Sequence, residues 1–335
     1  PRARGLLHAK VGASYAALSM RPEAVAEFRK AVEALSQGLG PDDRRVLEAM
    51  LDELLLLIAM DEHEAMQVRG PDLLARAQRL LQESDPLRLS VEREWAACLR
   101  RLGRLEESLA FHMAVLDKCR RLLPPTSEVT NDSATKTAAV LSDLGRYQEA
   151  EALLLEALQR SSENLGANHD YTLPIKALLA SVYFKSGRHQ ESLAVLNDLI
   201  QTRTPTRGLQ NVRTINPLML RTEVLIKLGR LDEAQADCRK ILAALASRQG
   251  VDSFRVTIGT RLARLLAQRH DYAEAESVLQ QQVQSTQPRN RGPLLRELVA
   301  IYDQWSTHDP SIDLADKREA ARAQLAEHEP DSARK

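Results

Sequence analysis

Five arginines lie close together in the first third of the chain, and arginine is the side chain best suited to bind a carboxylate. They are Arg88, Arg93, Arg100, Arg101 and Arg104. Arg93, Arg100, Arg101 and Arg104 recur at spacings of three, four and seven residues, which are the spacings of neighbours on a helix face. A guanidinium group can donate two parallel hydrogen bonds to one carboxylate. Two interpretations stay open: a solvated face paired with Glu92 and Glu94, or a patch for an acidic partner peptide.

Residue patterns that could bind a metal or carry out catalysis are weak. The segment Asp61–Ala65 places one histidine among acids, but a zinc helix of the His-Glu type needs a second histidine, and Gln67 stands there. The segment is better interpreted as a solvated loop or helix end. Gly38–Asp43 is not a phosphate-binding loop, because no Gly-Lys-Ser/Thr follows it. We therefore expect no catalytic residue, no metal site and no cofactor.

The composition limits the class of partner. The 335 residues include 46 Lys and Arg and 46 Asp and Glu, so the net charge is zero and no general attraction to nucleic acid or an anionic membrane is expected. The longest apolar run, Leu54–Met60, is too short to span a bilayer. Three cysteines at unrelated spacings favour free thiols and a cytoplasmic location. No signal peptide is evident, and because Pro1 is not an initiator methionine we expect a piece of a longer protein.

The elements that position these side chains repeat along the chain. Gly103, Gly145, Gly187 and Gly229 are each 42 residues apart, and each lies between the end of one amphipathic helical pattern and the start of the next. A fixed period of this length indicates stacked supersecondary units that bury their apolar faces against one another. No β-branched alternation competes, so an all-α fold is predicted.

Small residues recur near the start of each second helix, where two helices must cross closely. They are Ala24, Ser108, Ala150, Ser192, Ala234 and Ala275. Residues 41–84 form an irregular second repeat, for which Ala65 and Ala75 are competing choices. We expect Gly70 and Pro71 to break the helix there, with a new helix over Pro71–Gln82. Residues 202–208 are predicted to be a loop, and His270 replaces the glycine of the seventh turn.

This pattern resembles the tetratricopeptide repeat. The resemblance rests on Gly12, Tyr15, Ala24, Phe28 and Ala31, and on Ala180, Tyr183, Gly187, Ser192 and Leu196. The 42-residue period and the connections Gly38–Leu47 and Asn164–Leu173 resemble the kinesin-light-chain-like subclass, since the common form has a period of about 34. The resemblance implies a single right-handed superhelical solenoid over residues 1–335, with about seven antiparallel helix pairs and C-terminal capping helices over 294–327.

The resemblance also implies a function, namely a non-catalytic scaffold that binds a protein or peptide partner in a concave groove lined by the first helices. Position by position, the groove candidates are Arg93, Arg100, Arg101, Asp143, Ser181, Phe184, Lys185, Glu223, Lys227 and Arg264. The subclass carries asparagines in its first helices that hold a ligand backbone. This chain has Glu94, Ala134, Leu178 and Leu220 at such places, so the resemblance does not extend to that feature.

A narrower resemblance concerns the C-terminal end. Leu294–Leu325 is similar to the closing helices of repeat regions that follow bacterial serine/threonine protein kinase domains. The kinase motifs themselves are absent, since the chain has no Gly-rich loop, His-Arg-Asp or Asp-Phe-Gly. The alternative function is therefore a regulatory or substrate-recruiting region of such a kinase. Membrane anchoring of the parent protein could then place this region outside the cytoplasm.

Overall fold

The computed structural model describes residues 1–124, 127–246, 248 and 250–328, and within them the regular structure is helical, with no strand. The helices are α1 (Arg2–Ala17), α2 (Arg21–Leu39), α3 (Arg44–Met60), α4 (His63–Leu80), α5 (Pro86–Arg101), α6 (Leu105–Leu122), α7 (Glu128–Asp143), α8 (Tyr147–Leu165), α9 (Thr172–Lys185), α10 (His189–Arg207), α11 (Val212–Lys227), α12 (Leu231–Leu245), α13 (Asp252–Ala267), α14 (Tyr272–Ser285), a 3₁₀ turn (Pro288–Asn290), α15 (Gly292–His308) and α16 (Ala315–His328). The predicted all-α helical repeat is confirmed.

The helices divide between two compact units, Pro1–Ser186 with α1–α9 and Gly187–Lys335 with α10–α16. Within each unit, every helix packs against the helices before and after it. The hydrophobic core of each unit lies between its packed helices. In the first unit it includes the fully buried Leu47, Leu54 and Met66, which pack with Trp95. Because neighbouring repeats supply each other's apolar contacts, stability in each unit depends on the stacking of adjacent helices.

In each of the first seven helix pairs, one residue between the first and the second helix adopts a left-handed backbone, and we call it the turn residue. The turn residues are Ser19, Asp61, Gly103, Gly145, Gly187, Gly229 and His270, with φ between 61° and 80°. The first six are 42 residues apart and the last step is 41. Glycine is favoured here because it has no Cβ to clash. Ser19 and Asp61 continue the same phase, so the second repeat is regular in its backbone.

The close crossing occurs at the fourth residue of each second helix, which we call the slot residue. The slot residues of α2 to α14 are Ala24, Met66, Ser108, Ala150, Ser192, Ala234 and Ala275, and each is fully buried. Neither Ala65 nor Ala75, the two predicted candidates, occupies the slot of α4. Met66 does, and it lies 42 residues from both Ala24 and Ser108. An unbranched methionine can adapt to a confined site. Ala65 is half-buried and Ala75 is exposed.

The expected break at Gly70 and Pro71 was also wrong, because α4 runs through both residues. Gly70 is buried, and a Cβ there would lie 2.3 Å from two ring carbons of Trp95. The glycine therefore permits close approach of an aromatic ring of α5. The tertiary contact outweighs the local cost of Gly and Pro inside a helix.

The predicted loop over residues 202–208 is helical instead, since α10 continues through Pro205 to Arg207 and ends at Gly208. Gly208 has a positive φ of 72° and is 42 residues after Gly166, whose φ is 99°. Gly166 and Gly208 thus end α8 and α10, and they repeat with the same 42-residue period as the turn residues. Gly208, and not Pro205, therefore sets the end of α10.

The C-terminal pair closes the second unit. Helices α15 and α16 span Gly292–His328, close to the predicted capping region of 294–327. Helix α16 is polar, and on it Ala321 is a buried side chain. Its fourth residue is Arg318, whose N–H donates to the carbonyl of Leu314 in the same way that slot residues donate in the other pairs. A long cation thus replaces the small slot residue in the last pair.

Candidate partner-binding surface

In the first unit, three small side chains lie at equivalent positions of successive first helices. They are Ala97 on α5, Ala139 on α7 and Ser181 on α9, each half-buried and six residues before its turn residue, and we call them the small-residue row. Each has a charged residue about one helical turn away along its helix. Charged side chains therefore border the row toward the turns, and on α5 and α7 they also border it on the opposite side.

On the side away from the turns, four side chains of α5 and α7 form a closed ring of ion pairs, which we call the charge ring. Arg93 lies 3.0 Å from Glu94 and 3.4 Å from Asp132, while Lys136 lies 2.8 Å from Glu94 and 3.7 Å from Asp132. Burial opposes ionisation of Glu94, but Lys136 and Arg93 outweigh it and hold the pKa of that carboxyl below its usual range. The ring is neutral and joins two repeats.

On the side near the turns, Arg100, Asp143 and Lys185 form a chain of ion pairs across α5, α7 and α9, which we call the charge chain. Arg100 Nε donates to Asp143 Oδ2 at 2.7 Å, and Lys185 Nζ donates to Asp143 Oδ1 at 3.1 Å. Burial opposes ionisation of Asp143, yet hydrogen bonds from Arg100 and Lys185 lower its pKa. Two cations share one carboxylate, so the chain carries a surplus positive charge.

The structure separates the arginines that the sequence placed on one face. Arg93 belongs to the charge ring and Arg100 to the charge chain. Arg101 is 57% exposed, and its ion pair with Asp61 is long, at 3.9 Å. Arg88 pairs with Glu92 of its own helix, and Arg104 with Glu107. Glu92 and Glu94 are thus partners of Arg88 and Arg93, while the other arginines of this cluster pair with carboxylates outside α5.

Beneath the charge ring, a buried histidine of α6 contributes to the electrostatics of the surface. His112 is 1% exposed, and its Nδ1 has no hydrogen-bond partner among the described residues. Burial, with the positive charge of Lys136, lowers the pKa of His112 to about 4. The imidazole is therefore neutral near neutral pH, and the cations above it retain the carboxylates as their partners.

The remaining predicted groove residues have different surroundings. Phe184 on α9 is half-buried. In the second unit, Glu223 on α11 pairs with Arg261 of α13, and Lys227 on α11 is exposed. Arg264 on α13 donates to both carboxylate oxygens of Glu297 on α15, at 2.9 and 2.6 Å. Arg264 is therefore already paired, and the second unit joins its repeats by the same kind of contact as the first.

Sequence reasoning missed the residues that pair with the predicted cations. Asp132, Lys136, Arg261 and Glu297 were not predicted as part of the surface, and Glu94 was considered only as a partner for the arginines of its own helix. A signal for some of these contacts was present in the sequence. Glu94 and Lys136 are 42 residues apart, as are Asp143 and Lys185, so opposite charges occupy one phase of successive repeats.

The 42-residue register agrees with a match to a known family. Residues 129–204 match the family model described as tetratricopeptide repeat. This segment contains tetratricopeptide repeats. The match covers α7 to α9 and most of α10, which include the turn residues Gly145 and Gly187. No curated protein matches the sequence.

Solved structures show the same repeat fold at low identity. A putative kinesin light chain from Podosopora anserina with nearly identical tetratricopeptide-like repeats is 20% identical, with a TM-score of 0.53, over 61% of this chain and 96% of that one. The apo form of RapI is 12% identical, with a TM-score of 0.60, over 96% and 99%. NprR in complex with its cognate peptide NprX is 12% identical, with a TM-score of 0.52, over 95% and 88%.

The packing of the C-terminal helices α15 and α16 accounts for the pattern that resembles kinase-associated repeat regions. Leu298, Ile301 and Tyr302 are buried, and the Trp305 ring lies parallel to Tyr272 with centroids 5.9 Å apart. These residues therefore pack the closing pair. A link to a kinase stays a prediction. Among the residues that the structure describes, no helix is long and apolar enough to cross a membrane.

Proposed function

We propose that this chain is a non-catalytic scaffold whose α5, α7 and α9 bind an extended segment of a partner protein across the small-residue row. The observation that carries the proposal is the row itself, bordered by the charge ring and the charge chain. Small side chains let another backbone approach closely, while the neighbouring charged groups retain exposed atoms for hydrogen bonds. NprR in complex with its cognate peptide NprX and a Rap protein in complex with Competence and Sporulation Factor have a similar fold, which is consistent with such a role.

The charge of the surface favours an acidic partner. Five cations and four carboxylates contribute to it, a surplus of one positive charge. They are Arg93, Arg100, Arg101, Lys136 and Lys185 against Asp61, Glu94, Asp132 and Asp143. Arg101 has the weakest internal contact of these cations and is the group most available to a partner carboxylate. An exposed pair contributes only about 0–1 kcal/mol, so binding must also shield these groups from water.

The proposal is tested by selecting binders from a random peptide library with the wild-type chain and measuring their Kd. We expect acidic, extended peptides whose binding weakens as salt is raised, because screening acts on exposed charges. Arg101→Glu should weaken binding at least tenfold. The matched control is Arg4→Glu on α1, an exposed arginine away from this surface. Equal binding by both variants would contradict the proposal.

A further inference from the structure

A large cavity lies in the second unit between α14, α15 and α16. Its volume is about 780 Å³, within the range of roughly 300–1,000 Å³ that is usual for small-molecule sites. The buried side chains of Leu295, Leu298, Tyr302 and Ala321 form its floor. Polar and charged side chains, including Arg291 and Glu327, line it as well. The cavity belongs to the second unit alone and is independent of the proposed partner-binding surface.

The last pair differs from the pair before it both in the volume of this space and in the fourth residue of its second helix. The corresponding space between α12, α13 and α14 is about 420 Å³, and there α14 carries the fully buried Ala275 in its slot. Helix α16 carries Arg318 instead, which pairs with Asp303 of α15 at 3.2 Å.

Polar groups at the floor are already paired with one another. Glu276 accepts hydrogen bonds from Tyr302 Oη at 2.8 Å, Gln280 Nε2 at 3.0 Å and Lys317 Nζ at 2.9 Å. The negative charge of this carboxylate is therefore compensated by Lys317. A ligand carboxylate that enters the cavity would therefore not be repelled by an unpaired negative charge on Glu276.

Arg291 has unused capacity to bind an anion. Its Nε donates to the carbonyl of Thr286 at 2.9 Å, and no carboxylate among the described residues lies within ion-pair distance of its guanidinium. Arg291 directly precedes α15, so the positive end of that helix dipole adds to its charge. An apolar floor beside a half-buried arginine is complementary to a molecule with a carboxylate head and an apolar body.

We propose that this cavity binds a small amphipathic carboxylic acid, with the carboxylate on Arg291 and the apolar body against Leu295, Leu298 and Ala321. The carboxylate of Glu327 also lines the cavity, on the last helix. Because like charges repel, Glu327 opposes such a ligand, and its neutral replacement strengthens binding.

The test measures binding of octanoate to the full chain by calorimetry, with octan-1-ol as the uncharged comparison. We expect octanoate to bind at least tenfold more tightly than octan-1-ol. Arg291→Gln should remove this preference, and Glu327→Gln should increase the affinity for octanoate. Arg289→Gln is the matched control, because Arg289 is exposed and lines a different cavity.

A second variant tests the position of the ligand. Ala320 is exposed at the cavity, so Ala320→Trp should fill the space and abolish octanoate binding while circular dichroism shows an intact helical fold. No octanoate binding by the wild type, equal affinity for octan-1-ol, or unchanged binding in Arg291→Gln and Ala320→Trp would each overturn the proposal. Selected peptides should bind Ala320→Trp as they bind the wild type, which keeps this test separate from that of the α5–α7–α9 surface.

Discussion

Lys136 Nζ lies 2.8 Å from Glu94 Oε1, and the two residues are one repeat of 42 apart in the chain. The contact joins α5 to α7. Arg93 and Asp132 close the charge ring around it. The repeat period is therefore visible in the electrostatics as well as in the apolar core, and charged residues on the first helices connect successive repeats.

The charge ring predicts a loss of stability when one partner is removed. Lys136→Met leaves the nearly buried Glu94 with Arg93 as its remaining cation. We expect the free energy of unfolding to fall by about 1–3 kcal/mol, the usual cost of an unsatisfied buried polar group. Urea unfolding followed by circular dichroism measures it. Lys30→Met, which removes an exposed pair with Glu27, is the control and should change stability little; equal effects would contradict the ring's role.

The buried histidine predicts a pH dependence. The pKa of His112 is lowered to about 4 in the folded state, so the unfolded chain takes up this proton at a higher pH. The stabilising contribution is present above the ordinary histidine pKa of about 6.5 and is lost as the pH falls toward 4. His112→Leu should make the free energy of unfolding less pH-dependent in this window. An unchanged pH profile in the variant would show that His112 does not titrate as the structure implies.

Replacing Gly70 by alanine is predicted to destabilise the protein, although alanine has the higher helix propensity. Gly70→Ala should destabilise the first unit by about 1–3 kcal/mol, since the new Cβ would meet the Trp95 ring and force the two helices apart. Without that contact, alanine inside a helix would stabilise by about 0.5–1 kcal/mol. Gly292→Ala is the control, because no atom lies within 4 Å of a Cβ there. Thermal melts of both variants decide between steric and propensity effects.

The slot of α8 predicts that overpacking is costly. Ala150→Leu should lower stability by about 1–3 kcal/mol, because the fully buried slot residue sets the distance between α7 and α8. Adjacent repeats should lose protection as well, since each is stabilised by its neighbours. Ala152→Leu, at an exposed position of α8, is the control. An unaltered melting temperature for Ala150→Leu would contradict the assigned crossing.

The turn residues predict a gain in stability. Ser19 has a φ of 62°, in the left-handed region that glycine adopts at Gly103 and Gly145. Ser19→Gly should stabilise by up to about 1 kcal/mol, because a non-glycine residue carries a steric cost in this conformation of roughly 1–2 kcal/mol. Gly145→Ala is the reciprocal variant and should destabilise by a similar amount. A destabilised Ser19→Gly protein would show that its side chain contributes more than the backbone strain.

The sequence predicted the fold because its signals are local and repeated. The glycines at 42-residue steps and the small slot residues identified most of the helix pairs. The errors occurred where tertiary contacts outweighed a local rule. Met66 fills a slot expected to hold alanine, and Pro71 and Pro205 lie inside helices that packing and a later glycine define.

The candidate surface was less predictable, because a side chain's partner comes from another repeat. Arg93 and Arg100 were read within one helix, whereas their contacts include Asp132 and Asp143 of the next first helix. The members of these two pairs lie 39 and 43 residues apart, close to one period, so only a comparison of neighbouring repeats would have shown them. The cavity near Arg291 gave no sequence signal, because it is formed by side chains of three helices, α14, α15 and α16, that only the packing brings together.

The central claim is that a partner segment crosses the small-residue row, and the direct measurement is the Kd of a selected peptide for two alanine-to-arginine variants. Ala139→Arg places a long side chain in the row, while Ala152→Arg makes the same change at an exposed position of α8. We predict at least a tenfold loss of affinity for Ala139→Arg, wild-type affinity for Ala152→Arg and equal helix content. Wild-type affinity for Ala139→Arg would contradict the claim.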